Sequence, residues 1–223
     1  MIKNILVLLI ATTFHASAMD LFKAEYTVFK DGKKIGQSST ELSMDAPLYV
    51  LTDKTNGTHG LASFLGFKRN EKTLFTENNG VLMPESYQMD QKVAFKKHQS
   101  NYQIDIESKM AHGKHKGNDW QVAIPDVFTT PNLVILNLSQ DICSGITTGL
   151  NYTIIKDGKI KNYKFTITSE KEGIIEIDKV HSKPLRVTKT WLDKGQHCLP
   201  IKTYHIEEGE EPLETKLIKI TFN

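Results

Sequence analysis

Apolar and polar residues alternate along most of this chain. In "AEYTVFKDGKKIGQSSTELSM", Ala24, Tyr26 and Val28 share one face before a break at Asp31-Gly32. In "NYTIIKDGKIKNYKFTIT", the break falls at Asp157-Gly158, after which Tyr163, Phe165 and Ile167 resume the same period. A period of two puts successive side chains on opposite faces of a strand. Asp-Gly tolerates the positive φ of a tight hairpin. The segments "GIIEIDKV", "KPLRVTKTWL", "LPIKTYHIEE" and "LETKLIKITFN" are short, β-branched or aromatic, and separated by Gly, Pro or Asp. The pattern predicts an all-β, mainly antiparallel fold.

Two stretches depart from alternation. "HGLASFLGFK" (59–68) is too continuously apolar for an exposed strand and reads as a short helix or a loop tucked over a sheet. "TTPNLVILNLSQDI" offers Thr130 as N-cap and Pro131 at the first helical position, followed by Leu133, Leu136 and Leu138. A helix of two to three turns is expected there, with Val134 and Ile135 leaving a strand open. The preceding "KHKGNDWQVAIPDVFTTP" reads as a long connection dividing two meanders, about 22–110 and 150–223, within one domain spanning 19–223. Each half contains a passage from a glycine through a proline to a tyrosine: Gly80, Pro84 and Tyr87, then Gly195, Pro200 and Tyr204. The glycine–tyrosine spacing differs between the two, so successive meanders of one curved sheet explain the echo as well as duplication does.

The first 18 residues have a different build. Lys3 precedes an apolar run from Ile5 to Ala11, and Ala16-Ser17-Ala18 offers small residues for cleavage. This is the layout of a secretory signal peptide, with a core too short to span a bilayer. Met19 and Asp20 follow where a lipoprotein would need cysteine, so a soluble periplasmic chain starting at Met19 is expected, with no membrane span. The formal charge is +2, and removing Lys3 with the leader leaves +1. A balance this close to neutral gives no electrostatic case for nucleic acid. Export would permit a bond between the two cysteines, Cys143 and Cys198, but a count of two forces nothing. Two small buried thiols remain the alternative.

"THGLASFLGFKRNEKTLFTENNGVLMPESYQMD" resembles the part of the DUF3108 family in which a small-and-apolar stretch precedes a strand, a turn and "P-x-x-Y". "KPLRVTKTWLDKGQHCLPIKTYHIEEGEEPLETKLIKI" resembles that family's C-terminal half, with its "W-L-x-x-G" turn and "L-P". The resemblance runs from about residue 22 to the end and departs at "PDVFTTPNLVILNLSQDICSG". It implies an exported protein of Gram-negative bacteria whose fold is similar to the periplasmic lipoprotein carriers. In those, a strongly curved antiparallel sheet or incomplete barrel wraps a greasy cavity. One or two short helices are then expected across the concave face. The family has no established reaction.

Catalytic chemistry is not legible. There is no G-x-S-x-G elbow, H-E-x-x-H, phosphate loop or C-x-x-C. His112 and His115 have a metal-like separation, with Asp119 or His98 as possible completions, but Lys114 and Lys116 oppose a cation, and the reading is an exposed loop without metal. No cofactor is implied. Leu61, Phe64, Leu65 and Phe67 are candidates for a flap over a lipid cavity, or else for core that plugs the open side of the sheet. Trp120 and Trp191 are candidates for stacking on a ligand, or else for core or rim packing. Three readings of function follow. The first is non-enzymatic binding of a lipid or other apolar or amphiphilic envelope molecule. The second is a structural or interaction protein of an envelope complex with a self-filled core. The third is an enzyme acting on envelope polymer. An apolar cavity would favour the first, a filled core with an exposed apolar patch the second, and a cleft with converging carboxylates the third.

Overall fold

The computed structural model describes residues 19–223; the expected signal peptide, 1–18, lies outside the described residues. The first meander comprises β1 (Phe22–Lys30), β2 (Lys33–Asp45), β3 (Leu48–Gly57), β4 (Lys68–Asn78), β5 (Val81–Val93), β6 (Lys96–Asp105), β7 (Met110–His115) and β8 (Asn118–Ala123). The second comprises β9 (Asn151–Lys156), β10 (Lys159–Lys171), β11 (Ile174–Lys179), β12 (Val187–Asp193), β13 (Leu199–Ile206) and β14 (Leu213–Phe222). A short helix α1 (Gly60–Phe64) joins β3 to β4, and α2 (Leu133–Cys143) lies between the meanders.

All fourteen strands form one antiparallel sheet, in the order β8 to β1, then β14 down to β9. The two meanders are therefore joined side by side where β1 pairs with β14, from Phe22↔Phe222 to Lys30↔Leu213. Both Asp-Gly hairpins occur as predicted. Asp31, Gly32, Asp157 and Gly158 all adopt positive φ.

The sheet curls without closing its backbone ladder. Its two ends meet through side chains and a linker instead. Thr129 pairs in parallel with Ile154 on the outer edge of β9, donating its N–H to Thr153 O (2.8 Å) and accepting from Ile155 N–H (3.2 Å). The β9–β10 turn packs onto β6–β8, where Tyr102 OH donates to Ile155 O and Ser100 Oγ to Asp157 Oδ1, both at 3.0 Å. Gly158 lies against the Trp120 ring, and a Cβ there would come within 2.8 Å of the ring. The result is an incomplete barrel.

α2 fills much of the hollow. Leu133, Val134, Leu136, Leu138, Ser139 and Ile142 are all buried, which matches a helix apolar on most of its surface. Leu133 and Leu136 join Phe22, Leu42, Leu51 and Phe75 in one core cluster. Val134, Leu138 and Ile142 join Ile154, Phe165, Ile175 and Ile177 in a second. Thr130 is the effective cap: its carbonyl accepts from Val134 N–H and its Oγ1 from Leu133 N–H, both at 3.2 Å. At the other end, Cys143 is bonded to Cys198, with Cα atoms 5.8 Å apart. The helix is thus pinned to the strand entry of β13.

One short helix crosses the concave face, as expected: α2 does so, while α1 buries none of its residues and sits at the end of the sheet. One expectation needs correction. The first meander runs beyond 110, because 110–123 forms the hairpin β7–β8 rather than a connection. Ala111, Gly113 and His115 turn inward there while His112, Lys114 and Lys116 turn outward, so the alternation is real but carried by few large apolar residues. The two glycine–proline–tyrosine passages also differ in their outcome. Tyr87 is buried, whereas the inward position of β13 is Thr203, which leaves Tyr204 facing out. That parity argues against duplication. Pro84 and Pro200 each sit at a register shift, where a missing ladder donor is tolerated.

Candidate functional site

Between α2 and the sheet lies a cavity of about 250 Å³. Phe22, Leu51, Ile135, Leu136, Leu199 and Pro200 supply apolar walls. Asp53, Glu71, Asn132 and Ser139 bring polar groups to the same space. Asp53 and Glu71 are directly opposed cross-strand partners on β3 and β4. Their parity explains the placement: Asp53 falls in step with inward Leu51, and Glu71 with inward Thr73 and Phe75.

The two carboxylates are treated differently. Glu71 is well partnered, since Arg69 Nε donates to its Oε1 at 2.6 Å and Tyr87 OH to its Oε2 at 2.6 Å. Arg69 is held in turn by Gln91 Oε1 at 2.7 Å. Asp53 accepts from Thr40 Oγ1 and keeps partial exposure, through the cavity it lines. Burial raises its pKa from 3.8 to about 7; the Thr40 bond opposes that shift and the Glu71 charge adds to it. One carboxyl is therefore held near half-protonation at neutral pH while its neighbour is bound in an ion pair. Tyr26, whose OH donates to Pro200 O at 3.0 Å, has its pKa raised by burial and by Asp53.

α2 contributes groups whose hydrogen bonding is incomplete. Asn132 Oδ1 accepts from Thr73 Oγ1 (2.6 Å) and Thr130 Oγ1 (3.0 Å). That network fixes the amide's orientation and turns its nitrogen toward Asp53. Asn132 Nδ2 reaches toward the Asp53 carboxylate, which it helps to favour, without completing a full hydrogen bond, and buried Ser139 Oγ has no hydrogen-bond partner. A buried polar group left unpaired costs about 1–3 kcal/mol, and one beside an incompletely bonded amide at the same cavity marks a place where a polar ligand atom or water would be stabilised.

The candidates named from sequence lie elsewhere. Leu61 and Phe64 are 72% and 85% exposed, outside the barrel at the α1 end of the sheet, with Leu65 and Phe67 half-buried beside them. They neither cover the cavity nor plug the sheet. Trp191 faces outward, its Nε1 donating to Glu176 Oε2 at 3.2 Å and Lys202 Nζ lying 4.5 Å over its ring. Trp120 faces inward, edge-on to Tyr102 with ring centroids 5.5 Å apart, and packs as core between the sheet ends. Gly113 makes room for it, since a Cβ there would meet Trp120 and Tyr102 at 2.7 and 2.6 Å. His112 and His115 are split across the two faces of β7. His115 Nδ1 lies 3.0 Å from Asp157 Oδ1, and Asp119 pairs with Lys114 at 3.3 Å. Among the described residues no three such side chains are grouped to hold a metal ion. A larger depression, about 1090 Å³, is an open polar trough on the outward face bordered by Gln88, Asn101, Gln103, His112 and Gln121. No buried titratable group opens into it from below except the tyrosines of the core, so its size is not matched by chemistry.

No protein-family model matches this sequence, and no curated protein matches it. Among solved structures it is similar to a β-barrel-like protein of domain of unknown function DUF1849 from Brucella abortus. That similarity has a TM-score of 0.56 at 11% identity, over 92% of this chain and 98% of that one. At such identity the likeness concerns the β-barrel-like fold.

Proposed function

We propose that this is an exported, non-enzymatic periplasmic protein that binds a small amphiphilic envelope molecule in the cavity beneath α2. The supporting observation is the pairing of apolar walls with unpartnered Ser139 Oγ, incompletely bonded Asn132 Nδ2 and a carboxyl raised toward neutrality. Apolar pockets with a few convergent polar groups and a perturbed titratable residue are the usual form of a binding site. The apolar part of the ligand lies against Leu51, Ile135, Leu136 and Leu199, and its polar end meets Asp53, Asn132 and Ser139. A volume of about 250 Å³ is at the small end for ligand sites, roughly that of eight water molecules. The ligand is therefore short, or one segment of a longer chain. The Cys143–Cys198 bond accords with an oxidising compartment. Among the described residues no helix is long and apolar enough to cross a membrane. The resemblance to the DUF3108 family favours the same assignment.

An enzyme acting on polymer is disfavoured. Asp53 and Glu71 converge, but Glu71 is saturated by Arg69 and Tyr87, and a small space behind a pinned helix does not admit a polymer chain. The filling of the rest of the hollow by α2, together with exposed Leu61 and Phe64, favours the second reading, an envelope interaction protein. The two readings are compatible. Native mass spectrometry of protein from its own envelope, followed by titration of the stripped protein with octanoic acid, tests the first. Binding that is lost in Leu136→Trp, which fills the cavity, is expected. No co-purifying mass together with octanoic acid binding indifferent to that substitution would overturn it.

A further inference from the structure

A second region of this molecule has a construction that the cavity does not explain. Lys68 on β4 stands directly opposite Lys92 on β5, and Lys92 directly opposite Lys97 on β6. Three like charges in one cross-strand row repel one another. Lysines protect the edges of sheets, but β4, β5 and β6 are interior strands, so edge protection is not their purpose. With Lys54 they border a depression of about 380 Å³. The one carboxylate among its lining residues, Asp90, accepts from Gln88 Nε2 and Gln99 Nε2. None of Lys54, Lys68, Lys92 and Lys97 takes part in a salt bridge among the described residues. Nor do Lys33, Lys34 and Lys96 at the same end. Seven lysines at this end of a chain of formal charge +2 thus lack a carboxylate partner among the described residues.

Large apolar side chains stand at the rim of this basic face. α1 exposes Leu61 and Phe64, and the β5–β6 turn holds Phe95 fully exposed. The two tips touch, with Ala94 N–H donating to Leu65 O at 2.6 Å. Both are built rather than loose. Gly57 N–H bonds Phe67 O at 2.9 Å, Phe67 N–H bonds Ala62 O at 3.0 Å, and Ile35 O accepts from Thr58 and His59. Gly57 packs directly beneath Ala62, where a Cβ would lie 2.5 Å from its carbonyl oxygen. The turn "VAFK" places alanine at φ 53 followed by phenylalanine, in a position that Asn-Gly would fill at less strain. Unneeded for packing and disfavoured for the turn, these side chains face water.

We propose that this end of the barrel docks on an anionic phospholipid surface. The lysine row lies against headgroup phosphates, while Leu61, Phe64 and Phe95 enter the interfacial layer. Charge complementarity selects this occupant over an apolar protein groove, because the apolar tips are small and the unpaired cations beside them are many. Exposed aromatic and aliphatic side chains flanked by lysines are the arrangement that holds a protein in the headgroup region. The neighbouring β13–β14 turn carries exposed Glu208, Glu210 and Glu211. An anionic surface repels that turn, so the molecule leans toward the β5–β6 side.

Flotation with vesicles decides it. The wild-type protein is expected to float with phosphatidylcholine vesicles containing phosphatidylglycerol, to stay behind with phosphatidylcholine alone, and to be released at about 0.5 M salt. Lys68→Gln/Lys92→Gln/Lys97→Gln should weaken partitioning on the order of a hundredfold, and Phe64→Ser/Phe95→Ser about tenfold or more. The lysine triple variant, relieved of its repulsion, should melt no lower than the wild type. Equal flotation with neutral vesicles, or none with anionic ones at low salt, would overturn the proposal. So would wild-type flotation of the serine double variant, since a surface indifferent to the apolar tips is a polyanion site and not a membrane dock.

Discussion

Replacing Asp53 by Asn removes a charge that the native fold holds at a cost, and the structure gives its size and its pH window. The folded-state pKa is raised from 3.8 to about 7 by burial, with Glu71 adding to the shift. The native protein therefore keeps this proton between about pH 4 and 7, while the unfolded chain has already lost it. Stability falls as pH rises through that interval and is indifferent to this group on either side of it. A tenfold change in proton affinity is worth about 1.4 kcal/mol, so the ceiling is about 4 kcal/mol. Water entering the cavity beside the partly exposed carboxylate moderates that ceiling. Asp53→Asn should thus be more stable than wild type by roughly 2–4 kcal/mol at pH 8 and within about 1 kcal/mol of it at pH 4. The Asn amide keeps an oxygen to accept from Thr40 and offers a donor toward Glu71. Urea denaturation with the disulfide intact, followed through Trp120 and Trp191 fluorescence, measures the difference. Parallel pH profiles for the two proteins would refute the assignment of a buried, near-neutral carboxyl. Glu71→Gln is the poorer probe, because it strips Arg69 of its partner and adds a separate penalty of about 3–5 kcal/mol.

Two further outcomes concern the scaffold. Phe165, buried on the inward face of β10 and edge-on to Tyr152, should cost about 3–5 kcal/mol when replaced by Ala, whereas exposed Lys164→Ala should cost under about 0.5 kcal/mol; equal costs in thermal melts would mean the register is wrong. Opening the Cys143–Cys198 bond releases a loop of 55 residues, so the Ser/Ser variant should lose about 4 kcal/mol on the chain-entropy model, and two alkylated cysteines in unreduced protein from an oxidising compartment would show the bond absent there.

How much of this was legible in the sequence varies with the kind of signal. The hairpins at Asp31-Gly32 and Asp157-Gly158 and the helix after Thr130-Pro131 were readable because turn chemistry and capping are local. The β7–β8 hairpin was missed because Gly113, not a large apolar residue, fills its central inward position, opposite Trp120. The cavity was harder still. Asp53 and Glu71 look like ordinary outward charges in "VLTDKTNG" and "KRNEKTLF". Their parity with Leu51 and with Thr73 and Phe75 is a signal in the sequence. Their convergence is not, because it depends on the β3–β4 register across the irregular α1 connection. Apolar stretches misled in the opposite direction. "HGLASFLGF" reads as something to be buried, yet backbone bonds to Ile35, Phe67 and Ala94 hold its large side chains in water.

The seam between β1 and β14 has a consequence for how the chain is assembled. Phe22 pairs with Phe222, so two hundred residues separate partners that lie side by side in the middle of the sheet. Every other strand pairs with its immediate neighbour in sequence, and each meander can zip up as it emerges. β1 alone must wait, with one edge unpaired, until the last strand has been made. Loop closure on this scale is slow and governs rate more than final stability. The interval in which β1 stands open is also when it can pair with another chain. Until β14 (Leu213–Phe222) has been made, β1 is therefore the strand of this sheet most open to a wrong partner.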